Sequence, residues 1–484
     1  TGAYIEKEAT INEEIDRLRH AATESLLTRK DVIIVASVSC IYGIGEVDEY
    51  EKQCLRFKTD EEYTIEAIIA SLVNLQFDDP LLTSKGDVPS YLDTLEIWPS
   101  SSEEIWRLEF FGDTLERISK VEYLAYRTIE EKHEIVVFPA KHFVTSKSVV
   151  EEVLPKIKAE MEAQVEYFQS VGKLVEAERI KMRVEYDMEM LAEVGYVNGI
   201  ENYSMYLSNR KVGDPASTLM DFFPKDYLMF VDESHITIPQ IGGMYAGDRA
   251  RKENLVNYGF RLPSALENRP LRFPEFEEKS GQTLYISATP SKLELEKSEV
   301  IAEQVIRPTG LLDPHITIED MEFMVDSIID NQSGEVALRA GDHHDYHEEI
   351  SEDLAAYLAE NGLKVRYLHS EIETLERLEI LRDYRMGVID VIVGVNLMRE
   401  GLDLPETSFI GINKKEKIGF LRSKTSLLQI IGRAARNVNG YVVMYSHGKK
   451  ESVAMQDAID ETNRRRTVQE DYNTKHGITP KTII

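Results

Sequence analysis

Two adjacent carboxylates, Asp232 and Glu233, close the run Tyr227-Leu-Met-Phe-Val-Asp-Glu-Ser-His235. Its apolar half, Tyr227 to Val231, predicts a fully buried parallel strand, and open α/β sheets bind ligands outside the C-terminal ends of such strands. There one carboxylate can hold Mg²⁺ against nucleotide phosphates while its neighbour orients an attacking water. A solvated turn after a strand accommodates the same pair. A second run, Thr283-Leu-Tyr-Ile-Ser-Ala-Thr-Pro290, ends in the hydroxyls of Ser287 and Thr289, placed to sense that sheet edge or to cap the next helix. In Gln429-Ile-Ile-Gly-Arg-Ala-Ala-Arg-Asn437, Arg433 and Arg436 stand three residues apart and are expected on one helical face. Paired guanidiniums suit a γ-phosphate transition state; ordinary surface ion pairs are the alternative. Finally, Gly242-Gly-Met-Tyr-Ala-Gly-Asp-Arg-Ala-Arg-Lys252 and Gly259-Phe-Arg-Leu-Pro-Ser-Ala265 predict a phosphate-contact loop. In it Arg249, Arg251, Lys252 and Arg261 would meet phosphates and Tyr245 would stack on a base.

The elements that must position these groups are legible in outline. A chain of 484 residues suggests three or four domain-sized units, and 42% hydrophobic with 29% charged residues is ordinary for a globular protein. No apolar run reaches the ~20 residues of a membrane span. Two cysteines, Cys40 and Cys54, without a CxxC pair, argue against a disulfide framework or zinc ribbon and fit a reducing cytoplasm. The net charge of −30 opposes indiscriminate binding to nucleic acid. Gly411 to Arg436 nevertheless holds seven Lys or Arg against the single acid Glu416. The opening Thr1-Gly-Ala-Tyr has neither an initiator Met nor a signal-peptide pattern, as in the middle of a longer protein.

Four domains are expected in order. Residues 1–45 hold a helix and a buried strand, Asp31-Val-Ile-Ile-Val-Ala-Ser37, as a remnant of a first motor domain. Residues 46–140 alternate in apolar character between turn signals, as in a strand-rich inserted domain. Within 141–310 an amphipathic helical arm (148–192), with Val150, Val153, Ile157, Leu174, Ala177 and Ile180 at helical spacing, precedes the Asp232-Glu233 strand. Residues 311–484 form a second α/β unit with strands at Lys364–Ser370, Asp390–Val395, Ser408–Ile412 and Gly440–Tyr445. Between its first two strands a helix carries Ile372, Leu375, Leu378 and Leu381 on one stripe. Alternating strands and helices imply a parallel, doubly wound sheet.

Asp232-Glu-Ser-His235, Ser287-Ala-Thr-Pro290, Arg399-Glu-Gly-Leu-Asp403 and Gln429 to Arg436, in that order, resemble the later motifs of superfamily 2 helicases. Gly247-Asp-Arg-Ala-Arg-Lys252, Gly259 to Leu266, Arg307-Pro-Thr-Gly-Leu-Leu-Asp-Pro314 and Gly432-Arg-Ala-Ala-Arg-Asn437 closely resemble the UvrB family of nucleotide excision repair. The resemblance runs from about Tyr4 to Lys481. It implies an α/β fold of two RecA-like doubly wound parallel-sheet motor domains, the first truncated, with ATP between them. In these roles Asp232 would hold Mg²⁺, Glu233 would activate water, Ser287 and Thr289 would couple hydrolysis to DNA, Gly401 and Asp403 would line the nucleotide cleft, and Arg433 and Arg436 would reach the phosphates. It also implies damaged DNA as ligand, UvrA as the partner docked by the 46–140 insertion, and UvrC as the later partner.

The sequence departs from the family's pattern in several places. No GxxxxGK[ST] occurs in it, Gly172-Lys173 being followed by Leu174, so these residues alone are expected to be nearly inert toward ATP. The UvrC-recruiting module of the family and most of its DNA-clamping β-hairpin are also not found. Pro89 and Tyr91 stand where the family tends to carry arginines, which weakens UvrA docking. Lys414-Lys-Glu416 replaces an Asp-Ala-Asp turn, and His343, His344, Asp345 and His347 fit a solvated loop better than any zinc spacing. The alternative function is an ATPase-inert module that binds DNA or protein. A different superfamily 2 DNA translocase is a third reading, opposed by the Gly259–Leu266 and Arg307–Pro314 segments.

Overall fold

The computed structural model describes residues 13–77, 94–331, 334–338, 344–368, 372, 374–395, 404–413, 424–449 and 451–482. The chain divides into two compact units, Thr1–Ile286 and Ser287–Ile484.

The first unit opens with α1 (Glu13–Thr28) and α2 (Val47–Lys52). Strand β1 (Leu55–Lys58), helix α3 (Ile65–Asn74), and strands β2 (Thr94–Ile97), β3 (Glu104–Phe111), β4 (Thr114–Glu122), β5 (Arg127–Lys132) and β6 (Glu134–Val137) follow. β2–β5 form an antiparallel meander, and β1 pairs with β6. Period-two alternation sends Leu95, Ile97, Leu108 and Phe110 into one core with Ile68 and Leu72 of α3, and a bulge in the β3–β4 pairing brings Leu115 and Ile118, three residues apart, onto the same face. Of the aromatic residues in this region, Phe110 is buried, whereas Trp98 and Phe111 are 42% and 77% exposed. The helical arm is an antiparallel pair, α4 (Lys147–Ser170) and α5 (Leu174–Val194), closed by Gly195 in the left-handed conformation. Val150, Val153 and Ile157 meet Ala177, Ile180 and Val184 across it. Leu174, expected on that stripe, is instead 67% exposed, because it opens α5 beside the inter-helix turn. A short α6 (Ser204–Leu207) follows.

Next come β7 (Leu228–Val231), α7 (Ser234–Asn257), α8 (Phe273–Ser280) and β8 (Gln282–Tyr285). β7 and β8 pair in parallel as a two-stranded sheet. The expectation of a fully buried β7 is corrected. Val231 is buried, but Leu228 and Phe230, with Leu284 and Ile286 at β8, are between 43% and 59% exposed. The expected strand at Asp31–Ser37 is corrected as well. That segment pairs with no strand among the described residues and leaves Ile33 and Val35 more than 90% exposed. An apolar run records that burial is favourable; it does not supply the neighbour that covers it.

The second unit contains α9 (Lys292–Lys297), β9 (His315–Glu319), α10 (Met324–Asn331), β10 (Gly334–Leu338), α11 (His344–Glu360), β11 (Val365–Leu368), α12 (Thr374–Arg385), β12 (Val391–Val395), β13 (Phe409–Asn413), α13 (Lys424–Ala434), β14 (Tyr441–Tyr445) and α14 (Val453–His476). Its six strands are all parallel, in the order β11-β12-β10-β13-β14-β9. The four strands read from the sequence are present, and β9 and β10 join them. The stripe on α12 is corrected: Ile380 and Tyr384 are buried, whereas Leu378 is 59% exposed. His344, Asp345 and His347 open α11 rather than lying in a loop, and His343 lies outside the described residues, as do Pro89, Tyr91, Gly401, Asp403 and Lys414–Glu416. Among the described residues no helix is long and apolar enough to cross a membrane.

Candidate functional site

The Asp232-Glu233 pair forms the turn from β7 into α7. The Ile286 amide donates to the Val231 carbonyl at 3.0 Å, and the Ser234 amide donates to the Ile286 carbonyl at the same distance. The end of β8 thereby grips both sides of the turn. Glu233 sits at φ 43°, ψ 49°, left-handed backbone that costs a side-chain-bearing residue about 1–2 kcal/mol. Its carbonyl nevertheless accepts the amides of Ile236 and Thr237, which starts the helix. Strain held at a strand-to-helix turn is characteristic of functional positions. The Glu233 carboxylate lies 3.5 Å from Nδ1 of the buried His235 ring, while Asp232 points to solvent. The Thr237 hydroxyl donates to the Asp232 carbonyl at 2.7 Å. An exposed carboxylate fixed by its own backbone at a strand end suits a hydrated Mg²⁺, which takes one or two carboxylates and completes its shell with water and phosphate oxygens.

The glycine-rich stretch is a correction: Gly242 to Lys252 is the middle of α7 and not a loop. The buried positions of α7, Ser234, Ile238, Ile241, Asp248, Lys252 and Val256, recur at helical spacing. Two of the six are charged and a third is a serine, so an apolar pattern cannot reveal the stripe. Lys252 is 6% exposed, with Nζ 3.0 Å from an Asp248 carboxylate oxygen and donating to the Asn268 carbonyl. Burial pushes its ammonium pKa below the ordinary lysine value. Arg249 pairs with Glu253 at 2.7 Å and Arg251 with Asp248 at 3.2 Å, both with outward-reaching guanidiniums. Arg261 donates to the neighbouring Phe260 carbonyl. Sequence reasoning missed Arg272, whose Nη2 donates to the Tyr245 hydroxyl at 3.1 Å and whose guanidinium lies 4.8 Å from the ring centre. The buried Arg269 approaches the same ring at 5.5 Å. Nothing in the local sequence around Asn268-Arg-Pro-Leu-Arg272 points to Tyr245, twenty-seven residues away.

In the second unit, Arg433 occupies the last turn of α13 and is 5% exposed. The expected shared helical face is corrected: α13 stops at Ala434, and Arg436 stands in the following turn, exposed, its amide bonded to the Arg433 carbonyl at 3.3 Å. After the stop the chain folds back so closely that a Cβ at Gly440 would fall 1.9 Å from the Ala434 carbonyl oxygen, a packing only glycine allows. Ser287 and Thr289 do not cap α9; Ser291 does, in a capping box with Glu294. The Ser287 hydroxyl accepts the Thr289 amide at 3.0 Å, and Gln429 of α13 reaches the buried Thr289 hydroxyl at 3.4 Å. The Ser-Ala-Thr turn is thus tied to the helix that carries Arg433.

A six-stranded parallel sheet, a carboxylate pair ending a parallel strand, and an arginine-bearing helix tied to a Ser-Ala-Thr turn define a helicase-type motor of superfamily 2. Residues 325–438 match the helicase conserved C-terminal domain. Three further matches are the UvrB interaction domain at 55–143, the UvrB third helical domain at 148–209 and Ultra-violet resistance protein B at 444–484. UvrABC system protein B of Carboxydothermus hydrogenoformans is 51% identical over the whole chain, which covers 73% of that relative. The Streptococcus agalactiae and Lactobacillus johnsonii proteins of the same name are 50% and 49% identical, each covering 99% of this chain and matched over 72% of its own length. Among solved structures, Saccharomyces cerevisiae Dbp5 bound to RNA and ADP BeF3 aligns over 54% of this chain and 66% of its own, at 15% identity and a TM-score of 0.30. The chain belongs to the UvrB family, and its role is in nucleotide excision repair.

Proposed function

We propose that the protein is the nucleotide-dependent damage-verification subunit of excision repair, taking damaged DNA from UvrA and holding it for UvrC. The observation that carries this reading is the strained Asp232-Glu233 turn, pinned on both sides by the end of β8. When bound, Mg²⁺–ATP would supply a γ-phosphate open to attack by water. Asp232 would hold the ion, and Glu233, anchored near His235, would orient the water. Arg433 and Arg436 are the candidate phosphate contacts of the second unit, while Gly401 and Asp403 remain candidates on the family pattern. Tyr245, Arg249, Arg251, Arg261 and Arg272 are the candidate DNA contacts of the first unit. Lys252 is buried and paired, and serves to anchor α7.

The domain at 55–143 is the candidate UvrA-docking module, and its exposed Trp98 and Phe111 suit the centre of such a contact. The test is a gel-shift assay with UvrA and a lesion-bearing duplex. A UvrA-dependent complex that survives UvrA dissociation and supports incision by UvrC is the expected result; failure to load, with a competent UvrB protein loading in parallel, refutes it. A narrower reading, a binding module without ATP turnover, is favoured for these 484 residues taken alone because they contain no GxxxxGK[ST].

A further inference from the structure

Helix α14 follows the helicase-like portion of the second unit and carries three consecutive arginines, Arg464, Arg465 and Arg466. Arg464 and Arg465 share Glu461, whereas Arg466 turns to a different element. Arg466 donates to the Asp313 carbonyl at 2.6 Å. Arg464 bridges Glu303, through Nη2 at 3.0 Å and Nη1 at 3.3 Å, and Glu461, through Nε and Nη2 at 2.9 Å each. Arg465 donates through Nε to Glu461 at 2.6 Å and through Nη2 to the carbonyl of Ala288 at 3.0 Å.

Ala288 is the middle residue of the Ser287-Ala-Thr289 turn, whose hydroxyls the family resemblance assigns to coupling hydrolysis to DNA. Its carbonyl is therefore held from a helix 177 residues further along the chain. The geometry is specific to arginine. One face of the planar fork is fixed by the Glu461 carboxylate, and that aims the remaining N–H at the carbonyl. Glu461 is itself fixed: bonds from Arg464 first and Arg465 next hold its carboxyl down at about pKa 2. The Glu303–Arg464–Glu461–Arg465 chain ends on the backbone between two candidate coupling hydroxyls. With Gln429 on the Thr289 side chain, the turn is held at two points by two helices of the second unit.

We propose that Arg465, braced by Glu461, is a positioning residue that fixes the Ser287–Thr289 turn to α14, so that the turn follows the state of the second unit. Arg465 touches neither nucleotide nor DNA in this reading. The inference rests on the proposed role of the turn, and the experiment separates the two.

Backbone amide exchange is measured on the 484-residue chain as wild type, Arg465→Ala and Arg465→Lys. Exchange over residues 286–290 is expected to rise about 10-fold in Arg465→Ala, with the lysine variant intermediate and the β13–β14 core unchanged. No local rise, or an equal rise throughout the second unit that lysine does not relieve, overturns the proposal. The same changes and Ser287→Ala are then made in the protein as its gene encodes it, and ATP turnover is compared with and without single-stranded DNA. In Arg465→Ala the stimulation ratio is expected to fall at least about 5-fold while DNA-free turnover stays within about twofold, with lysine restoring part of the ratio. A loss of turnover with and without DNA in equal measure marks Arg465 as merely structural and refutes the positioning role. If Ser287→Ala loses stimulation and Arg465→Ala keeps it, this inference alone fails. If both variants keep it, the assigned role of the turn fails with it.

Discussion

Lys252→Ala distinguishes a DNA contact from a buried anchor. By residue type and position Lys252 belongs with Arg249 and Arg251 on a phosphate-binding surface, yet its side chain is 7% exposed and faces an Asp248 side chain that is 2% exposed. Removing one partner of a buried pair costs about 3–5 kcal/mol, because the other charge stays buried. Asp248 keeps Arg251 at 3.2 Å and the Tyr42 hydroxyl at 3.5 Å. The expected loss is therefore at the lower end, about 3 kcal/mol. At roughly 2 °C per kcal/mol for a unit of this size, the unfolding midpoint of the first unit should fall by about 6 °C. Thermal unfolding followed by circular dichroism, with amide exchange of α7 to assign the transition, measures this. The double change Asp248→Asn with Lys252→Met removes both charges and should recover more than half of the loss. Arg249→Ala is the contrasting change: its midpoint should move by less than about 1 °C, since exposed pairs contribute little, while its affinity for single-stranded DNA falls and the slope of log K against log salt drops by about 0.7. If Lys252→Ala leaves the midpoint in place and weakens DNA binding as Arg249→Ala does, the buried pair is not the working arrangement and the argument from burial fails.

Other outcomes follow from the same structure. Glu233→Gln, in the protein as its gene encodes it, should lower DNA-stimulated ATP turnover about 100-fold with stability unchanged. Glu233→Gly should raise stability by about 1 kcal/mol in denaturant titrations by relieving the left-handed strain while also losing turnover; a stability loss on Gly would show that no strain is stored there. Burial of His20, stacked 3.8 Å from His142, pushes its pKa down to about 4, so the unfolded chain binds the extra proton and stability from this group falls as pH drops from about 6.5 to 4. Burial raises Glu24 on the same helix to about 7, so the folded state binds its proton over much of that range and opposes the loss. Glu24→Gln should therefore steepen acid destabilisation between pH 6.5 and 4, as read from urea midpoints; an unchanged pH profile would contradict the buried placement. Phe111→Asp should weaken UvrA binding about 10-fold by calorimetry with no change in unfolding midpoint, and equal affinity would move the docking surface elsewhere on the inserted domain.

The sequence by itself determined the elements whose patterning is uninterrupted. Val391–Val395, Phe409–Asn413 and Tyr441–Tyr445 form strands because continuous apolar runs need cover on both faces, and the parallel sheet with its helices provides it. The α4–α5 pair was legible because its buried residues keep three- and four-residue spacing. The Asp232-Glu233 pair was legible because chain order alone puts it at the end of a strand. Tertiary structure decided whatever depended on partners far along the chain. It turned the glycine-rich stretch into a helix whose inner stripe includes an ion pair, and charged residue types give no warning of burial. It separated Arg433 from Arg436 by ending α13 between them, where Gly440 lets the backbone fold tightly back. It placed Arg272 against Tyr245 and Arg465 on the Ala288 carbonyl, contacts spanning 27 and 177 residues. Local propensity specifies which segments can form; the positions of single polar atoms come from the packing that brings distant segments within hydrogen-bond reach.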